Sequence, residues 1–574
     1  MTEAATGAET NTNRGESVHP GGAAAVMDML LTDSAVGPAR RWLPGRSGLK
    51  AARNLALRPT AVAGRAGGLA AELGRILAGR SEVEPDGGDA RFKDDAWRMN
   101  PLFRTLCQSY LAVDGTIDGL IDDADLDWQD ERRLRFAARN LADALAPSNF
   151  PGTNPTVLKA TIDSGGLNFV KGARQLYRDL SEPPRIPTKV DKSAFEVGGN
   201  LAVSPGSVIY ECELFELIQY EPTTEEVREV PLLVVPPQIN KFYIADISPG
   251  RSMFEYFVGQ GERLFTISWR NPTEEHADWD LDTYVAGVIE ALGVIEEITG
   301  QPKTHLLALC AGGITATLAV NHLCNIGEGK RVAGLSLGVA VLDQERGGTA
   351  GAFMDRTTAA TAVAESARKG YIDGAALAGV FAWLRPNDLV WRYWVSNYLL
   401  GKTPPTFDVL YWNSDATRLS AGLHRDFVRL SLENALVEPG KAEVCGSPVD
   451  LGRIDVSSYV VAGINDHISP WADVYQTTQL LGTDPTFVLS NSGHIVAMVN
   501  PPGSDRASFQ INEGGNPPDY EEWLAGSSEQ EGSWWEHWVG WLGRRSGAYV
   551  PAPGKLGSKK HAPIRDAPGR YVHD

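Results

Sequence analysis

At 574 residues, with 43% hydrophobic and 22% charged side chains, the chain has the composition of a folded protein built from more than one structural unit. Its formal net charge of −19 excludes a general nucleic-acid-binding role, because neutralising phosphates requires clustered Lys and Arg. The five scattered cysteines argue against a disulfide framework and for reduced thiols in a cytoplasmic setting, and no CxxC pair suggests zinc.

Residues 1–24 hold few large apolar side chains and are expected to be a disordered tail. They lack the basic and apolar succession of a secretory signal, and no apolar run reaches the roughly 20 residues that span a bilayer. From 25 to 190 the apolar spacing, as in Leu102, Leu106, Tyr110 and Leu111, predicts a mainly helical N-terminal domain. The Pro-rich stretch Glu182 to Val190 reads as its linker.

From 191 to 574 short apolar runs alternate with amphipathic helices, the pattern of a parallel sheet with crossover helices. Strands are expected near 232–235, 264–268, 305–309, 332–342, 459–463 and 486–489. A helix with Leu281, Tyr284, Val285, Val288, Ile289, Leu292 and Ile295 on one face separates the second from the third. Over about 345–444 the strand rhythm lapses into a helical, aromatic segment, read as a cap inserted into the sheet domain. The Pro-, Gly- and Lys-containing tail from Pro551 is expected to pack as an irregular surface strap.

The run His305 to Val320 contains a strand, a sharp turn of small residues around Cys310, and a helix. This is the nucleophile-elbow arrangement, in which the helix N-terminus aims its dipole and free amides at a reacting oxygen. The Ala311 N–H is then an oxyanion donor. A search for GxSxG selects Gly334 to Gly338 instead, but Ser336 is followed by more apolar strand-like sequence and no helix, so it fails the structural condition of that motif. Cys107, Cys212, Cys324 and Cys445 sit in ordinary apolar or loop contexts and read as small buried hydrophobes.

An α/β-hydrolase fold presents its triad in the order nucleophile, acid, base, the last two after late strands. Asp466 follows the run Tyr459 to Gly463, and His494 follows Thr486 to Leu489. His494 is the candidate base and Asp466 the candidate acid that orients it, with Asp343 the competing carboxylate. His467, beside Asp466, reads as a structural or substrate contact.

Blocks such as PPQINKFYIADISP (from Pro236), SWRNPT (from Ser268), LCAGGIT (from Leu309), NDHISPW (from Asn465), SNSGHI (from Ser490) and GSWWEHW (from Gly532) together make the chain resemble the polyhydroxyalkanoate synthases. The resemblance runs from about residue 90 onward. It implies an acyltransferase that takes 3-hydroxyacyl groups from CoA thioesters, holds them on Cys310 and passes them to a growing polyester, with Asp466 and His494 completing the triad. A second oxyanion donor is expected from the Gln238–Ile239 loop. The family's G-x-C-x-G box has Ala308 at its first position here. The resemblance further implies a one-subunit type, a homodimer, attachment to polyester inclusions, and no cofactor beyond the CoA substrate. PPQINKFY, CAGGIT and SNSGHI are more like the medium-chain class, whereas RFKDDAWRMNPLF and APSNFPGTNP are more like the short-chain class, so monomer length stays open. A Cys-dependent thioesterase or polyester hydrolase of the same fold, and a non-catalytic granule protein, are the competing readings.

Overall fold

The computed structural model describes residues 45–343, 356–384, 386–466 and 468–574. The chain forms two compact units. One contains the described residues up to Asp191 with Gly379–Pro405; the other contains Lys192–Ala378 and Thr406–Asp574. The aromatic stretch expected to form a cap is therefore divided between them, and the disordered tail expected over 1–24 lies outside the described residues.

The first unit is helical: Gly45–Ala56, Pro59–Leu77, Pro101–Asp123, Trp128–Leu145, Pro155–Ser164 and Leu167–Ser181. The starts follow from local chemistry. Asn100 and Asn154 cap helices whose first residue is proline, and Asp127 caps the helix from Trp128. Two short π-helical turns, Asn387–Trp391 and Trp394–Leu399, dock onto this unit. Tyr398 Oη donates to Asp179 at 2.6 Å and Trp394 Nε1 to the Asn149 carbonyl at 3.1 Å.

The second unit is organised around an 11-stranded sheet. Its strands are β1 Gly206–Glu211, β2 Phe215–Tyr220, β3 Leu232–Val235, β4 Leu264–Trp269, β5 Thr304–Leu309, β6 Val332–Gly338, β7 Ser458–Gly463, β8 Thr486–Ser490, β9 Ser508–Ile511, β10 Ser528–Glu531 and β11 Arg565–Asp566. The spatial order is β10-β9-β8-β7-β6-β5-β3-β4-β2-β1-β11. The six central strands, β4 to β8 through β3, β5, β6 and β7, are all parallel, and antiparallel strands extend both edges. Central strands covered on both faces must be apolar throughout; all residues of β3, β5 and β7 are buried.

Two expectations are revised. The strand expected over 332–342 ends at Gly338, because Val339 turns into the left-handed region at φ +48°. There its N–H reaches the Val461 carbonyl at 2.8 Å and its carbonyl accepts from Ser469 Oγ at 2.8 Å. The tail, expected to be irregular, contributes β11 to the sheet edge. Arg565 pairs with the fully buried Glu216, which also accepts from the Arg570 and Tyr571 amides at 2.9 and 3.0 Å. A carboxylate inside a strand is tolerable only with such partners.

Candidate active site

Strand β5 delivers Cys310 to the sheet's carboxyl edge, and helix Ala311–Asn325 begins at the next residue. Cys310 adopts φ +50°, ψ −121°, a conformation that costs a non-glycine residue of order 1–3 kcal/mol and persists only where surroundings enforce it. They do so here. Its N–H donates to the Gly338 carbonyl at 2.8 Å, and its carbonyl accepts from the Gly313 amide at 2.9 Å. A Cβ on Gly312 would lie 2.5 Å from the Val235 carbonyl oxygen and 2.6 Å from that of Pro236, and one on Gly313 would collide with the Ala340 side chain. Glycines thus let the helix start press directly onto the end of β3. Ala308, where the family box has glycine, is fully buried within β5 between Val235 and Leu337.

The loop after β3 carries Gln238 and Ile239, both buried. Gln238 Nε2 donates to Thr315 Oγ1 at 3.0 Å, tying the loop to the second turn of the elbow helix. Thr417 Oγ1 donates to the Ile239 carbonyl. Helix Asp408–Ser414 is stapled over the same loop: Trp412 Nε1 donates to the Lys241 carbonyl at 2.8 Å, Lys241 pairs with Asp415 at 2.9 Å, and Tyr243 Oη donates to Asp415 at 2.8 Å. The first amides of a helix have no partner inside it, so the Ala311 N–H and this clamped loop frame the space beside Cys310.

Asp466 follows β7 and His494 follows β8. His494 Nδ1 and Asp466 Oδ2 are 2.7 Å apart, and the other carboxylate oxygen accepts the Ile468 and Ser469 amides at 2.7 and 2.8 Å. With three hydrogen bonds holding it, the carboxylate orients the imidazole through Nδ1 and leaves Nε2 for Cys310, a hydrogen-bond partner of the ring. Burial alone would lower the His494 pKa, but the Asp466 charge and then Cys310 override it and push it up to about 10. The competing carboxylate, Asp343, accepts from Asn434 Nδ2 at 2.9 Å.

Ser336 is only 2% exposed, and its hydroxyl accepts from Trp538 Nε1 at 2.8 Å. Burial pushes the other four thiols up, Cys107 to about 12 and Cys445 to about 11, which keeps them protonated and unreactive. His467 lies outside the described residues. Sequence reasoning missed Thr315 and Thr417 as clamps of the Gln238–Ile239 loop, and the backbone amides that orient Asp466. A Thr one turn past an elbow was the available signal for the first; contacts between distant segments leave none for the others.

A cysteine at a strained strand-to-helix bend, with an aspartate and a histidine after later parallel strands, is the arrangement of an α/β-hydrolase-fold protein, and the family model described as alpha/beta hydrolase fold matches residues 231–501. Residues 88–257 match the family described as Poly-beta-hydroxybutyrate polymerase (PhaC) N-terminus. The chain is 43% identical over 503 residues to poly(3-hydroxyalkanoate) polymerase 1 of Ectopseudomonas oleovorans, covering 88% of this chain and 89% of that one. It is 44% identical over 504 residues to polymerase 2 of the same organism, covering 88% and 90%. With the polymerase subunit PhaC of Cupriavidus necator it shares 40% over 501 residues, covering 86% and 84%. The chain belongs to the poly(3-hydroxyalkanoate) polymerase family.

Proposed function

We propose that the chain polymerises 3-hydroxyacyl-CoA thioesters through a covalent acyl group on Cys310. The observation that carries the reading is the strained Cys310 at a helix N-terminus with the His494 ring as its partner and Asp466 2.7 Å behind that ring. The raised pKa of His494 draws the thiol proton onto Nε2, and the thiolate so formed attacks the thioester carbonyl. The oxyanion is held by the Ala311 N–H and a donor from the Gln238–Ile239 loop, and CoA leaves as a thiol carrying the proton from His494. The 3-hydroxyl of an incoming 3-hydroxyacyl-CoA then yields its proton to His494 and attacks the acyl carbon. An ester forms, Cys310 leaves and is reprotonated, and the lengthened chain, now on CoA, returns by the first step.

Sulfur suits this cycle. Exchange of one thioester for another is nearly balanced, so the acyl group stays activated until a hydroxyl arrives. Asp466 stabilises the imidazolium in both half-reactions. The helix stapled over the Gln238–Ile239 loop restricts water, which would otherwise release free acid at each turn. The cycle uses no cofactor. A homodimer, a cytoplasmic location, attachment to polyester inclusions, and a substrate contact at His467 belong to the same proposal.

The test is CoA release over a ladder of 3-hydroxyacyl-CoA lengths, with the product analysed. Polymer that forms with CoA release and is lost in Cys310→Ala supports the reading. Free hydroxy acid as the sole product establishes the hydrolase instead, and no CoA release at any length establishes the non-catalytic granule protein.

A further inference from the structure

The GSWWEHW block plays no part in the cycle above, yet its donors converge on the segment that carries the base. Helix Trp534–Gly543 is buried along Trp534, Trp535, Trp538 and Trp541. Trp534 Nε1 donates to the Ala497 carbonyl at 2.6 Å, Trp535 Nε1 to the Met498 carbonyl at 3.0 Å, and Ser533 Oγ to the Asn500 carbonyl at 2.7 Å. Those carbonyls belong to the five-residue helix His494–Met498 and the residues just after it. A helix that short leaves its last carbonyls without internal partners, and a single turn has little stability of its own. Here indole N–H groups supply the partners from rings that are 1% and 0% exposed. The supporting helix is itself moored to the sheet core by the Trp538 bond to Ser336.

We infer that Trp534 and Trp535 are positioning residues for His494, holding the turn that begins at the base through its C-terminal carbonyls. The inference rests on the reading of His494 as the base. The indole N–H groups of Trp534 and Trp535 grip the Ala497 and Met498 carbonyls at the end of the turn opposite His494. Losing one lets the turn shift, and displacement of a reacting group by about 1 Å costs up to 100-fold in rate.

The experiment uses the full chain with Trp534→Phe, Trp535→Phe and the double substitution, which keep an aromatic ring and remove the donor. Trp541→Phe serves as a packing control, its ring lying 5.4 Å from that of Tyr459. Rates are normalised to the CoA released in the first turnover. Expected are a fall in kcat of about tenfold for each single variant and more for the double, with KM within about twofold, because the substrate pocket is untouched. Alkylation of Cys310 by iodoacetamide, which needs the proton-accepting imidazole but no substrate, slows in parallel. Trp541→Phe lowers the thermal midpoint and leaves both rates unchanged. If Trp534→Phe and Trp535→Phe match Trp541→Phe, losing stability without losing kcat or alkylation rate, the indoles are merely structural and the inference is overturned. His494→Ala separates the two levels: retention of turnover there sinks the reading of His494, whereas its loss beside unaffected tryptophan variants sinks only the positioning role.

Discussion

Strands β5 and β6 are neighbours, parallel and paired over most of their length, and at the end of each a potential nucleophile has a small residue two positions to either side. Only one of them can present it. After Leu309 the chain turns through φ +50° into a helix, so Cys310 stands at an apex with amides behind it. Ser336 lies inside β6, two residues short of its end, with its hydroxyl committed to an indole in the core. The spacing of small residues is common to both, and the backbone that follows decides which side chain stands at a helix N-terminus.

The largest expected effects break this comparison if it is wrong. Cys310→Ala should lower CoA release by at least about 10⁴-fold, since the nucleophile is gone, while Ser336→Ala keeps more than half the parental rate; the reverse result in a CoA-release assay would exchange their roles. Asp466→Asn should cost about a thousandfold in kcat by favouring the wrong tautomer of His494, and Asp343→Asn should not. Gly312→Ala sharpens the elbow's geometry. Its Cβ must displace the Val235 and Pro236 carbonyls, so denaturant unfolding should show a loss of about 3 kcal/mol.

Two buried histidines, His305 in β5 and His494 after β8, also differ in how they respond to pH. His305, at the start of the strand, is buried with its pKa lowered to about 4 by desolvation. The unfolded chain therefore binds the proton first as pH falls below 6.5, and stability should drop by on the order of 3 kcal/mol between pH 6.5 and 4. His494 has the opposite sign: raised to about 10, its contribution is complete below 6.5 and fades as pH rises through 10. Chemical denaturation across pH checks both, and His305→Leu should flatten the acid limb alone. The smallest effect is that of Ser336→Ala on stability. It orphans the Trp538 N–H and should cost about 1–2 kcal/mol.

The bend at Cys310 and the approach of Asp466 to His494 were legible because each residue lies just past an apolar strand whose composition announces it. The parallel strands β3, β4, β5, β7 and β8 were legible for the same reason. The antiparallel edges were not. Glu216 and Gln219 are both buried within β2, so the usual alternation of apolar and polar residues is scrambled there by partners from residues 557–571. Val339 gives no warning of its left-handed turn, which is imposed by Val461 and Ser469. The tryptophan block was visible as a motif, but its attachment to the His494 turn depends on hydrogen bonds 37 residues apart that no local periodicity encodes.

Glu216 receives its amide partners from positions up to 355 residues downstream. During synthesis that strand is made early, yet its carboxylate has no native partner until residues 565–571 leave the ribosome. The edge of the sheet is thus a late-closing seam: β1 and β2 can pair with each other and with β4 while the chain is still growing, whereas the outer edge of β1 and the Glu216 carboxylate wait for residues 565–571.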